Sequence, residues 1–283
     1  MVLFVLIVDT HAHIYADDEF VYPPASNPVR PPAEAGTLSA LERLAAESHV
    51  SALCAVQPFS FYRWNNGYLR DLSDCRRKFI AGVCLLDPDD PDSSPLLESY
   101  VTLFGVRGLR SYPASNGRLD HPGVEELWRH AEALKIVVNV SVTRDNTDDL
   151  ARMLERFPNQ PVVIDHCLIP KPDSDSAGAV KDMTRLAKYP NAYAKLNFLP
   201  AASVEEYPFR DMHEPCARII AAFGPGRCVW GNSFPCQLWS PKSSYAQNLR
   251  LFTDELGLSE RAKTCILGET ANRLWFGNRL LLD

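Results

Sequence analysis

Two histidines, His11 and His13, follow the apolar run LFVLIVD of residues 3–9. On an extended segment that spacing puts both rings on one side. Rings so placed suit two ligands on one metal ion, or two donors to one carbonyl oxygen. An HxH pair alone is a common chance pattern; its position straight after an apolar strand gives it weight. His166, after VVID, is the natural third partner, and its bland reading is a structural ring under a loop. Lys195 sits in the apolar run AYAKLN, where a lysine is seldom buried without a partner. It either orients a substrate carboxylate or carbonyl, or snorkels to the rim. Arg110, which ends GVRGLR, is either a substrate clamp or an ion-pair partner of Asp87 or Asp165. His49, His121, His130 and His213 fall on helices or helix edges and are read as surface or packing residues.

Groups scattered this widely need a scaffold that gathers them. The chain repeats one rhythm: apolar run, polar tip, amphipathic helix. The runs are residues 3–9, 50–57, 79–87, 105–110, 135–142, 161–166, 191–197 and 227–232. Most are continuously apolar rather than alternating, as strands buried on both faces are. Helical stretches lie between them. TLSALERLAAES opens on a Thr37 cap, and GVEELWRHAEALK puts Val124, Leu127, Trp128, Ala131 and Leu134 on one face. Alternating strands and helices imply βαβ units, and eight of them imply a closed (β/α)8 barrel. The expectation is an α/β fold: a single distorted TIM barrel domain over residues 1–283. An open doubly wound sheet is the weaker alternative, because no Gly-rich phosphate loop follows the first run. Irregular segments are expected over residues 15–32 and 170–178, both after strands.

In such a barrel, catalytic groups sit at the strand tips. Read in turn, the tips carry Asp9, His11 and His13; Gln57; Asp87; Arg107, Arg110 and Tyr112; Asn139 and Ser141; Asp165 and His166; Lys195 and Asn197; and Asn232 with Ser233. The candidate catalytic residues are His11, His13 and His166. The candidate substrate contacts are Gln57, Arg110, Tyr112, Lys195, Asn232 and Ser233.

Composition narrows the class. The chain has 283 residues, 46% of them hydrophobic, and a net charge of −6. There is no Lys/Arg-rich block, which argues against nucleic acid. The eight cysteines form no CxxC pair and mostly lie in apolar runs, so they read as reduced thiols. That fits a cytoplasmic location. The opening MVLFVLIV lacks a basic region and a cleavage site and is too short to span a bilayer, so it reads as a buried first strand. No membrane partner is expected, and a homo-oligomer is compatible with the sequence.

VDTHAHIY, GVRGLR, VVIDHCLIP, NAYAKLN, RCVWGNSFP and ILGETANRLW, in this order, resemble the amidohydrolase-2 family of the amidohydrolase superfamily. Within it the chain is similar to the 2-pyrone-4,6-dicarboxylate lactonase and sugar-lactonase branch. The resemblance spans the whole chain and implies a distorted (β/α)8 barrel that hydrolyses a lactone or a related C–O bond. It implies that His11 and His13 are the strand-one pair, that His166 is the strand-six histidine, and that Arg110 grips a substrate carboxylate. The family's strand-eight motif usually carries an Asp as base and metal ligand; here that position is Ser233, within Gly231-Asn232-Ser233-Phe234-Pro235. Ser115 and Asn116 stand where basic residues for a second carboxylate would be expected.

Three neutral nitrogens, from His11, His13 and His166, would suit one divalent zinc or manganese ion. Without the strand-eight carboxylate there is no base beside such an ion, so the reading is that no cofactor is required. The leading expectation is opening of a small carboxylated or carbonyl-bearing lactone. His11 and His13 would stabilise the oxyanion, and His166, with an ordinary pKa of about 6.5, would act as base. The alternatives are a non-hydrolytic step such as decarboxylation, isomerisation or cyclisation, and a catalytically silent binding barrel.

Overall fold

The computed structural model describes residues 6–75, 78–168 and 176–281. Eight parallel strands pair in sequence order: β1 (Val8–Ala12), β2 (Ala52–Val56), β3 (Ile80–Leu85), β4 (Gly108–Ser111), β5 (Val137–Val140), β6 (Val162–Ile164), β7 (Ala192–Lys195) and β8 (Cys228–Val229). This is the (β/α)8 barrel expected, and the sequential order excludes a doubly wound sheet. The strands are shorter than the apolar runs, because the tips of the runs curl into loops. The first expected strand, residues 3–9, falls partly outside the described residues. Its described part starts later, at Val8, and carries His11 within the strand.

The ring closes beyond β8. Thr10 N–H donates to Trp230 O (3.2 Å), Ser233 N–H to His11 O (2.9 Å) and His13 N–H to Phe234 O (2.9 Å). These bonds extend the two-residue β8 and tie it to β1. Gly231 permits the approach: a Cβ there would lie 2.8 Å from His11 Cβ and 3.2 Å from its backbone N.

Alternation along each strand builds two cores. Val8, Ala52, Cys54, Val56, Ala81, Val83, Val137, Val163 and Val229 fill the barrel, plugged from below by Ala271, Trp275 and Phe276. Leu53, Ala55, Leu109, Val138, Val140, Val162 and Ile164 face the helices. The helix expected after Thr37 is present at Leu38–Glu47, with Thr37 Oγ1 accepting from Ala40 N–H at 3.2 Å. Val124, Leu127, Trp128 and Ala131 form the buried face of Pro122–Ala133. The closing stretch is less regular than a single helix and includes the π-helical turns Cys265–Glu269 and Asn272–Phe276.

The segment after β1 is irregular, as expected, and Tyr15 packs edge-on against Phe61. The expected loop at 170–178 lies mostly outside the described residues. Seven of the eight cysteines are buried, Cys75 is exposed, and all eight are free thiols. Among the described residues, no helix is long and apolar enough to cross a membrane.

Candidate active site

A bulge aims the first two histidines. Val8 pairs with Ala52 and Asp9 with Leu53, yet Ala12 pairs with Ala55, so two residues of β1 oppose one of β2. The extra residue shifts the alternation. Val8 and Ala52 face the barrel interior, and Ala12 and Ala55 face the helices, so His11 and His13 both turn inward. The same side for both rings follows from their spacing; which side follows from the bulge.

They line a cavity of about 300 Å³ at the C-terminal end of the barrel. Its other walls are Arg110, His166, Asn197, Ser233 and Tyr112, with Phe59, Ser60, Ala201 and Trp239 from short helices after β2, β7 and β8. Six of the nine sequence candidates therefore meet here: His11, His13, His166, Arg110, Tyr112 and Ser233. Gln57, Lys195 and Asn232 do not line the cavity. Gln57 Nε2 donates to Asn65 O at 2.7 Å, which fixes a loop. Asn232 Nδ2 donates to Tyr245 O at 2.9 Å. Lys195 is fully buried, neither clamp nor snorkel, with Nζ 2.7 Å from Asp165 Oδ1. Ser115 and Asn116 are exposed and away from the cavity, where Ser115 N–H donates to Asp89. Sequence reading missed the walls made by Phe59, Ser60, Ala201 and Trp239, which lie on short helices beyond the strand tips and carry no titratable group to mark them.

The ring nitrogens are tightly arranged. His11 Nε2 is 3.3 Å from His13 Nε2, and His13 Nδ1 is 2.7 Å from Val56 O. The His11 and His166 ring centroids are 4.8 Å apart. Asn197 Nδ2 donates to Ser233 Oγ at 2.9 Å. Both His166 (φ 56°) and Ser233 (φ 64°) hold left-handed backbone conformations, uncommon for such residues and concentrated at functional sites. Beneath the histidines, Asp9 accepts from His11 N–H (3.0 Å), Asn232 N–H (2.8 Å) and Tyr245 O–H (3.0 Å). It locks the β1 bulge to the strand-eight turn.

Asp165 is the one carboxylate beside the histidines among the described groups able to hold a metal. It joins His11 and His166, with ligand atoms all within 4.8 Å, whereas the sequence reading chose His11, His13 and His166. A divalent ion does not fit this arrangement as it stands. Asp165 already carries two cations, Lys195 at 2.7 Å and Arg110 Nε at 3.3 Å. Among the described residues, no Asp or Glu lines the cavity to offset two more positive charges.

Burial and these cations set the protonation states. Burial drives His13 down to about 3, reinforced by Arg110. Burial takes His166 down to about 4; Asp165 opposes this, and Arg110 and Lys195 add to it. The ordinary value expected for His166 is thereby corrected: a buried ring beside two cations stays neutral. His11 is also held well below its usual range, by burial and then Lys195. Burial would raise Asp165, but Lys195 and Arg110 outweigh it and keep it ionised.

These shifts predict an acid sensitivity. Unfolded histidines take up protons below about pH 6.5, while His13 and His166 in the fold stay neutral down to about 3 and 4. Between those limits the unfolded state binds more protons, so stability falls as pH falls. Each group contributes about 1.4 kcal/mol per pH unit inside its window. Unfolding free energies from urea titrations between pH 7.5 and 5 should begin to drop near pH 6.5 and approach a slope of at least about two protons below about pH 6. A flat profile would contradict neutral burial of these rings.

The family model described as amidohydrolase, of the type-2 group, matches residues 8–277. The chain belongs to the amidohydrolase-2 family. No curated protein matches it in sequence. Among solved structures it is similar to a Pseudomonas putida protein named as a 2-pyrone-4,6-dicarboxylic acid hydrolase, with a TM-score of 0.81 and 19% identity over 99% of this chain and 100% of the other. A zinc-bound amidohydrolase from Burkholderia multivorans gives 0.77 and 22% over 96% and 99%. A 2,6-dihydroxybenzoate decarboxylase from Rhizobium gives 0.68 and 13% over 96% and 99%. At these identities the similarity establishes the amidohydrolase barrel and not the reaction.

Proposed function

We propose that this amidohydrolase opens a small planar lactone bearing one carboxylate, without a divalent metal. The observation that carries the reading is Arg110, among the described residues the one cation lining a cavity whose other walls are neutral histidines, aromatic rings and small polar or apolar side chains. Its Nε holds Asp165, which leaves the terminal N–H groups of the guanidinium for a substrate carboxylate. Tyr112 lies beneath that guanidinium, its ring centroid 5.2 Å away, and Phe59 and Trp239 suit a flat ring. A single lining cation among the described residues fits one carboxylate better than two, in line with Ser115 and Asn116 lying elsewhere.

The steps follow from neutral rings. A His N–H polarises the lactone carbonyl. Neutral His166, which shares the cavity wall with Asn197, takes a proton from water as the water oxygen attacks the carbonyl carbon. The ring C–O bond then breaks, and the proton passes from His166 to the leaving oxygen. Ser233, held by Asn197, positions the water without deprotonating it.

Ser233 in place of an acid also favours a second reading, decarboxylation of a planar aromatic acid, and the Rhizobium neighbour is named for such a reaction. Turnover of a lactone panel in ¹⁸O water separates the two. Label should enter the product acid, and Arg110→Met should raise KM by about 10–100-fold, the equivalent of losing charge-assisted hydrogen bonds. Release of carbon dioxide without label in the product would replace hydrolysis by decarboxylation. Equal KM values in both proteins would remove Arg110 from substrate binding.

A further inference from the structure

We infer that Lys195 is a positioning residue: its ammonium stands in for a divalent cation between His11 and Asp165 and holds His11 as the Nε2–H tautomer. The inference deepens the metal-free reading of the site proposed above, but its argument rests on hydrogen-bond directions alone.

Lys195 ends β7 and is completely buried, with Nζ 2.7 Å from Asp165 Oδ1 and 3.4 Å from His11 Nδ1. Beneath it, the Trp275 ring centroid lies 5.9 Å from Nζ, within reach of a cation–π contact. The cation therefore sits within the group of His11, Asp165 and His166 that could otherwise take a metal. An ammonium only donates, so His11 Nδ1 must present its lone pair to Lys195. The proton of neutral His11 is then on Nε2.

The far end of the chain gives an independent check. Val56 O, 2.7 Å from His13 Nδ1, only accepts, so His13 carries its proton on Nδ1. Its Nε2 is then a lone pair, facing His11 Nε2 at 3.3 Å. The two assignments, made from opposite ends, meet as one donor and one acceptor. Lys195 donates to His11, His11 to His13, and His13 to Val56. Had they disagreed, two protons or two lone pairs would have faced each other.

The spacing of 3.3 Å would suit two ligands of one zinc equally well, since bonds of about 2.0–2.1 Å at a tetrahedral angle place nitrogens about 3.3–3.4 Å apart. The outer nitrogen decides. Zinc on His11 Nε2 would force a proton onto Nδ1, against the ammonium, and zinc on Nδ1 would displace the ammonium itself. Either way Lys195 must leave or lose its proton. One functional consequence concerns the expected pair of oxyanion donors. His13 has no N–H free for the cavity, so His11 Nε2–H is the donor of the pair, and it exchanges His13 for a substrate oxygen on binding.

Two measurements test this without any turnover assay. In ¹⁵N-histidine-labelled wild type at pH 7, long-range ¹H–¹⁵N spectra should show His11 protonated at Nε2 and His13 at Nδ1. In zinc titrations followed by dialysis, wild type should retain no stoichiometric zinc, and Lys195→Met should bind about one per chain, tighter by about 10–100-fold. A wild-type His11 protonated at Nδ1, or one zinc retained by wild type, overturns the inference. So does a folded Lys195→Met that gains no zinc. Should that variant not fold, the wild-type spectrum and titration decide by themselves. Because neither readout involves substrate, failure of the lactonase reading is distinguishable from failure of this one.

Discussion

His166→Ala should lower kcat by about 10²–10⁴-fold, the usual contribution of a positioned general base, with KM changed far less. His166 lines the cavity, is neutral, and is carried on a left-handed turn that directs its ring toward His11. Removal of the ring leaves water beside the carbonyl with no base to accept its proton. The wild-type profile carries a second signature. An essential neutral His166 with a pKa of about 4 keeps kcat/KM level from pH 7.5 down through 6.5, where an ordinary histidine would already be half protonated. Equal kcat in His166→Ala and wild type would remove His166 as base, and an acid limb at pH 6.5 would contradict its depressed pKa.

Asp9→Ala should destabilise the protein by about 3–5 kcal/mol, since three buried donors lose their acceptor and each orphaned donor costs about 1–3 kcal/mol. Those donors, His11 N–H, Asn232 N–H and Tyr245 O–H, join β1 to the turn after β8, so the loss is felt where the barrel closes. Asp9→Asn keeps an oxygen for the two backbone N–H groups, and its amide can donate to the Tyr245 hydroxyl. It should therefore lose clearly less. Urea unfolding of both variants at pH 7.5 provides the measurement. Two variants within about 1 kcal/mol of wild type would show that Asp9 does not hold the closure.

Much of the candidate site was legible because barrels put chemistry at strand ends. His11, His13, His166, Arg110, Tyr112 and Ser233 were found from that rule and do line one cavity. Gln57, Lys195 and Asn232 satisfy the same rule but do not line that cavity. A tip residue can turn into the barrel, into its own loop or into the cavity, and the residue type does not say which. Asn232 is turned toward Tyr245 and Asn248, partners 13 and 16 residues further on, and Gln57 toward the backbone of Asn65.

The sequence by itself determined the barrel, since eight continuously apolar runs alternating with amphipathic helices have few other ways to bury their faces. It also determined that His11 and His13 share a side, because alternation along a strand is a local property. Tertiary structure alone decided that this side is the inside, through a bulge visible only in the pairing of β1 with β2. It also decided the charge of the site. Lys195 and Asp165 are 30 residues apart and on different strands, and only barrel closure buries them 2.7 Å from each other. Burial and electrostatics depend on what surrounds a group in three dimensions, so the protonation states of these histidines, and hence the chemistry open to them, could not be read from the chain.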